Sequence, residues 1–162
     1  ETEIDILNKK LTEYLIKVNN LSLNEKQKVQ VSNLFYSISD LERVGDHAEN
    51  LAEAAQYLKE HGLAFSETGI EDLKEISSAA IGAVDHAVAA RQDGGMEDIR
   101  QVSKLEDRVD TLEEEMRDKH IERLSKNECT PSAGVVFLDI LSNLERISDH
   151  AYNVAGYVKD EL

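Results

Sequence analysis

The sequence predicts an all-α protein, an antiparallel helical bundle with about five long helices. Three observations lead there. Apolar residues recur at helical spacing along almost the whole chain, and no stretch keeps the two-residue alternation of a half-buried strand. Eight glycines and one proline among 162 residues are too few for an all-β chain rich in turns. The gaps between periodic stretches are short, as antiparallel neighbours require.

The first helix is expected from Ile4 to Asn20, with Ile4, Leu7, Leu11, Leu15 and Val18 on one face. Ser22 and Glu25 have the spacing of a capping box and open a second helix that ends near His61–Gly62. Its apolar stripe is Leu34, Ile38, Leu41, Gly45, Ala48, Ala52 and Ala55. Thr68 and Glu71 repeat the box for a third helix, about Ile70 to Gln92. Ala79, Ala80, Ala83, Ala87 and Ala90 let neighbours approach that helix closely, and Asp93-Gly94-Gly95 ends it. A fourth helix runs from about Met96 to Leu124. Thr130 then caps a fifth, with Pro131 at its first position, where a missing N–H costs nothing; it continues to about Lys159.

Composition narrows the function. Eighteen Lys and Arg against 33 Asp and Glu give a net charge of −15. Phosphate-coating surfaces need clustered cations, so nucleic acid and anionic membrane are excluded as direct ligands. Cations, or a basic face on another protein, are the natural partners. A single cysteine excludes a disulfide framework and a thiolate metal cage, and suits a reducing compartment. No run of ~18 apolar residues is present. The chain opens on Glu1 without a methionine or signal peptide, and reads as a piece of a longer polypeptide.

An internal repeat is the strongest signal. Leu41-Glu-Arg-Val-Gly-Asp-His-Ala-Glu-Asn-Leu-Ala52 recurs as Leu144-Glu-Arg-Ile-Ser-Asp-His-Ala-Tyr-Asn-Val-Ala155, with eight of twelve positions identical. Upstream, Glu1-Thr-Glu-Ile-Asp5 matches Glu106-Asp-Arg-Val-Asp110, while Leu7 and Leu11 match Leu112 and Met116. The unit is a pair of helices used twice, repeat one spanning about 1–92 and repeat two about 96–162 of a single domain. Packing alone would preserve apolar positions; here the polar ones recur as well.

Each unit carries two Glu-x-x-x-Asp steps: Glu1/Asp5 with Glu42/Asp46, and Glu106/Asp110 with Glu145/Asp149. Residues four apart share one helix face. If the helices of a unit are neighbours, four carboxylates meet across a groove and repel by ~1 kcal/mol or more per pair. A hard cation is the best offset for an all-oxygen site. Arg43 and Arg146 are the rival, although consecutive residues point about 100° apart on a helix, so neither is expected to cover the Glu beside it.

The remaining polar residues receive plainer readings. His47 and His150 could ligate, but a hydrogen-bonded structural role is the stronger expectation. Asn50 and Asn153 are expected to tie helices together through their amides. Asp85-His86-Ala87 echoes the motif without its paired acid and reads as surface. Cys129 reads as a small filler before a helix, and Tyr14, Tyr36, Tyr57, Tyr152 and Tyr157 as bundle edges.

The two Glu-Arg-Val/Ile-x-Asp-His-Ala-x-Asn segments resemble the PhoU domain, a tandem of three-helix bundles. Leu11-Thr-Glu-Tyr-Leu15 and the stretch from Ala133 to Asp149 look most like the subgroup appended to bacterial sodium/phosphate cotransporters. The resemblance implies metal binding by paired Glu/Asp-x-x-x-Asp motifs, here Glu1, Asp5, Glu42, Asp46, Glu106, Asp110, Glu145 and Asp149. Divalent or trivalent ions (iron, zinc, magnesium or manganese) are the implied cofactors. The implied partners are a transmembrane phosphate-transport domain of the same polypeptide and a phosphate-sensing kinase, at the cytoplasmic face of the bacterial inner membrane. Two three-helix units would give six helices, and five are visible.

The expectation is therefore a metal-binding regulatory domain of a sodium-dependent phosphate transporter, without enzymatic activity. The alternative is a free-standing phosphate-signalling regulator. A di-iron oxidase is disfavoured, because no motif Glu has His three residues on. A fourth reading, a purely structural or homodimerising bundle, is favoured if no metal is found.

Overall fold

The computed structural model describes residues 2–162. Five helices follow one another: α1 (Thr2–Asn19), α2 (Glu25–Glu60), α3 (Glu67–Asp93), α4 (Met96–Ser125) and α5 (Pro131–Lys159). The all-α bundle expected from the periodicity is the fold observed.

Two of the caps differ from the expected ones. The capping box of α2 is Asn24 with Gln27, each side chain bonded to the other's backbone N–H, rather than Ser22 with Glu25. Ser66, not Thr68, caps α3, accepting from the Gly69 N–H at 3.1 Å. Phe65 fixes that entry by packing edge-on to Phe137. Gly94 ends α3 at φ +67°, where a Cβ would be strained. Thr130 caps α5 with Pro131 at its start, as expected.

Helices α3, α4 and α5 pack on one another; α2 packs on α5, and α1 touches α2 alone. The core lies inside the α3–α5 trio, with Ile76, Val109, Leu112, Met116, Phe137 and Leu141 at its centre. The alanine face of α3 forms a second cluster with Val102, Val154 and Val158.

The α1–α2 pair is the exception. Of its α1 face, only Leu15 is buried. Within the stripe expected on α2, Leu41, Ala48, Ala52 and Ala55 are exposed, and the residues buried there are Val31, Asn33, Ser37 and Asp40, facing α5. The repeat supplies the reason. Ile4, Leu7 and Leu11 are 37%, 53% and 47% exposed, whereas their counterparts Val109, Leu112 and Met116 are 0%, 1% and 0%. Helix α3 covers the second set, and no described helix stands in that position over the first.

Candidate metal centre

The second set of acids converges. Glu106 and Asp110 lie one turn apart on α4, and Asp149 reaches them from α5. One carboxylate oxygen from each lies within 4.8 Å of the others. Burial, and then the charge of Asp110, holds the Glu106 carboxyl above the usual range. Burial and then Asp149 do the same to Asp110. Glu145 is raised by burial and then by Asp149, so it shares the same negative field. Each of Glu106, Asp110 and Glu145 is easier to protonate than a free carboxylate, first because burial disfavours its charge and then because its neighbours repel it.

Arg146 reaches further than its helix position suggested. Its guanidinium lies 3.6 Å from Glu145 and 3.7 Å from Asp149. The long side chain reaches both acids, which corrects the expectation that Arg146 would not cover the Glu beside it. The arginine is largely exposed, so the pair is worth little and leaves most of the repulsion standing.

The first set stands differently. Glu1 lies outside the described residues. Asp5 is exposed on α1, while Glu42 and Asp46 are half-buried on α2. Among the described residues, these three do not form a cluster as tight as the one formed by Glu106, Asp110 and Asp149. The packing explains the contrast: α4 is clamped onto α5 by α3, whereas α1 has α2 alone.

The two histidines serve the interface between the halves. His150 Nδ1 donates to Asp40 Oδ1 at 2.7 Å, and His47 Nδ1 to Asn143 Oδ1 at 2.9 Å. Asn50 Nδ2 adds a bond to Asn143 at 3.0 Å, and Asn153 lies 3.4 Å from Asp40. Asp40 and Asn143 stand in the same register, one residue before the repeated motif, so the bonds cross reciprocally between α2 and α5. The two imidazoles stack near this pseudo-twofold at 5.6 Å. Asp40 and Asn143 escaped sequence reasoning because they differ chemically. Extending the repeat by one residue would have found them.

Other expectations settle locally. His86 pairs with Asp98 at 2.8 Å and ties α3 to α4, so it is more than surface. Cys129 is half-buried beside His120, Arg123 and Phe137. Tyr14, Tyr36, Tyr57 and Tyr152 are exposed edges, but Tyr157 turns inward and donates to Asp40 Oδ2 at 2.9 Å.

A bundle built from a repeated helix pair, with acids at matching positions, defines the class. The model of the PhoU domain family matches residues 1–55 and 73–158, and the chain belongs to that family. It is 28% identical, over 157 residues, to a phosphate-specific transport system accessory protein PhoU homolog of Thermotoga maritima, covering 96% of this chain and 66% of that protein. A homolog from Methanothermobacter thermautotrophicus is 31% identical over 117 residues, covering 72% of this chain and 52% of its own length. The chain thus spans about two thirds or less of these relatives. In fold it matches the crystal structure of PhoU from Pseudomonas aeruginosa, with a TM-score of 0.93 at 22% identity, over 99% of this chain and 76% of that one. The regulatory protein PhoU from Streptococcus pneumoniae aligns with a TM-score of 0.86 at 20% identity, over 99% and 74%.

Proposed function

We propose that this chain is a PhoU-type accessory regulator of phosphate transport whose acidic clusters hold hard cations. The observation that carries the reading is the twice-used helix pair with its Glu-x-x-x-Asp steps, which lies within the family match. The relatives described above bear the names of accessory proteins of a phosphate-specific transport system. Their names support the free-standing regulator better than a domain of a sodium-coupled transporter. No helix among the described residues is long and apolar enough to cross a membrane.

The donor set fits a metal. Three carboxylates meet there, Glu106 and Asp110 hold their protons above the usual carboxylate range, and oxygen donors suit hard cations. Glu106, Asp110 and Asp149 would hold an ion, with Glu145 beside them. Glu1, Asp5, Glu42 and Asp46 form the equivalent set of the first repeat. A bound ion would supply the charge that lets α4 and α5 keep their acidic faces together. Regulation then follows if metal-loaded bundle and metal-free bundle present different surfaces to the transport machinery, since only a differential affinity shifts such an equilibrium.

Two measurements test the reading. Protein purified without a chelating column should carry metal by elemental analysis, and the Asp110→Asn, Asp149→Asn double variant should carry clearly less. In a bacterium lacking its own PhoU, expression of the chain should restore phosphate-dependent control of radiolabelled phosphate uptake. Unaltered uptake with the protein present at normal level would defeat the regulatory assignment.

A further inference from the structure

The repeat places two equivalent seats at the α2–α5 interface, one on each side of the stacked histidines, and only one is filled. The filled seat holds Tyr157, whose phenol donates to Asp40 at 2.9 Å and whose ring leans on Tyr36 at 5.5 Å. Asn33 Nδ2 bonds the Tyr157 carbonyl at 3.0 Å and fixes the backbone behind the ring. Across the repeat offset of 103 residues, Tyr157 answers to Ala54, Tyr36 to Asp139, and Asp40 to Asn143. Two aromatic rings are replaced by a methyl and a carboxylate. At that position lies a cleft of about 730 Å³ whose lining includes Glu53, Ala54, Tyr57, Val136, Asp139 and Asn143.

We propose that this cleft receives a tyrosine side chain presented by a basic segment of a partner protein. The chain itself seats a phenol at the equivalent position of the other repeat. Ala54 and the buried Val136 contribute apolar surface to the lining. Asn143 is already occupied, accepting from His47 and Asn50 and donating to the Asp139 carbonyl at 2.8 Å, so it holds the wall rigid. The carboxylates of Glu53 and Asp139 form no ion pair among the described residues. They supply an acceptor for a phenolic hydroxyl and a field that attracts Lys or Arg beside it. A cleft of this size holds the ring together with its neighbours in sequence. Tyrosine also suits such a seat because it brings a large apolar face and one donor at low entropic cost.

The test uses the ¹⁵N-labelled chain and two capped peptides, Lys-Arg-Tyr-Arg-Lys and the same sequence with Phe in place of Tyr. The tyrosine peptide should shift amide resonances around Asn50, Ala54, Val136 and Asn143, and bind at least threefold tighter than the phenylalanine peptide. Ala54→Tyr fills the seat from within, in imitation of Tyr157, and should reduce binding at least tenfold. The charge variant Glu53→Gln with Asp139→Asn, both at exposed positions, should weaken binding more than Glu114→Gln with Glu115→Gln, exposed on α4, which does not touch α2. It keeps the test alive should Ala54→Tyr misfold. Shifts scattered over the acidic surface, or equal losses from the two charge variants, would overturn the proposal, as would undiminished binding by folded Ala54→Tyr.

Discussion

At the residue scale, two glycines make opposite demands. A Cβ on Gly134 would meet His120 Nε2 at 2.7 Å, and that imidazole is buried and stacked on Phe137 at 4.9 Å. The ring has nowhere to go, so Gly134→Ala should cost about 1–3 kcal/mol, measured by denaturant unfolding. A Cβ on Gly45 would meet Ile4 Cδ1 at the same 2.7 Å. That methyl ends a flexible, exposed side chain, so Gly45→Ala should change stability by less than about 0.5 kcal/mol. Equal costs would show that α1 is held more rigidly than its packing implies. Tyr157 gives a pH signature. Burial, and then its bond to Asp40, push its hydroxyl up to about 12. A raised pKa means the folded state keeps the proton longer, so the phenol's contribution is complete below the ordinary tyrosine range and is lost as pH rises through about 12. Tyr157→Phe should therefore cost about 1.5 kcal/mol at pH 7, with the gap to the parent protein unchanged up to about pH 9.

At the scale of the element, the acidic faces of α4 and α5 trade helix pairing for charge repulsion. Glu106, Asp110 and Glu145 have raised proton affinity in the fold, so the metal-free protein binds more protons than the unfolded chain across the window just above ordinary carboxylate values. Stability therefore falls as pH rises through that window, and the full penalty stands at neutral pH. Asp110→Asn should raise the melting temperature of chelator-treated protein by about 1–3 °C at pH 7 and leave it unchanged near pH 3. With a divalent cation in excess the order should reverse, because the parent protein alone keeps the full ligand set. A variant that melts lower than its parent without metal would mean that Asp110 serves packing or hydrogen bonding instead. Spacing made this site legible: i,i+4 acids on two helices, repeated, could be paired on paper. It could not show that α3 clamps one pair closed while the other is left with α1 alone. Nor could it show which face of α2 is inside. The stripe through Leu41, Ala48 and Ala52 is the correct apolar face by the repeat, since Leu144, Ala151 and Ala155 are buried, yet on α2 it looks outward. Periodicity locates the face that can be buried; a neighbour decides whether it is.

At the scale of the whole molecule, the uneven distribution of core predicts uneven stability. The α3–α5 trio encloses both apolar clusters, and α2 is fastened to it by the crossed bonds of Asp40 and Asn143. Helix α1 rests on α2 through a half-open face in which Leu15 is the one fully buried apolar side chain. Regions with few buried contacts open at low free energy, independently of global unfolding. Native-state hydrogen exchange should thus release the amides of α1 first, in a step insensitive to mild changes in global stability. The amides of α3, α4 and α5 around Ala80, Val109 and Leu141 should exchange last and together, at the global unfolding free energy. Because α1 carries Asp5 and packs on α2, which carries Glu42 and Asp46, a cation that bridged these acids would bind only the docked form. Adding a divalent cation should then slow exchange in α1 selectively, by the factor that mass action sets for the occupied fraction. Slowing confined to α3, α4 and α5 would place the binding at the α4–α5 cluster alone, and would leave the first repeat without a metal role.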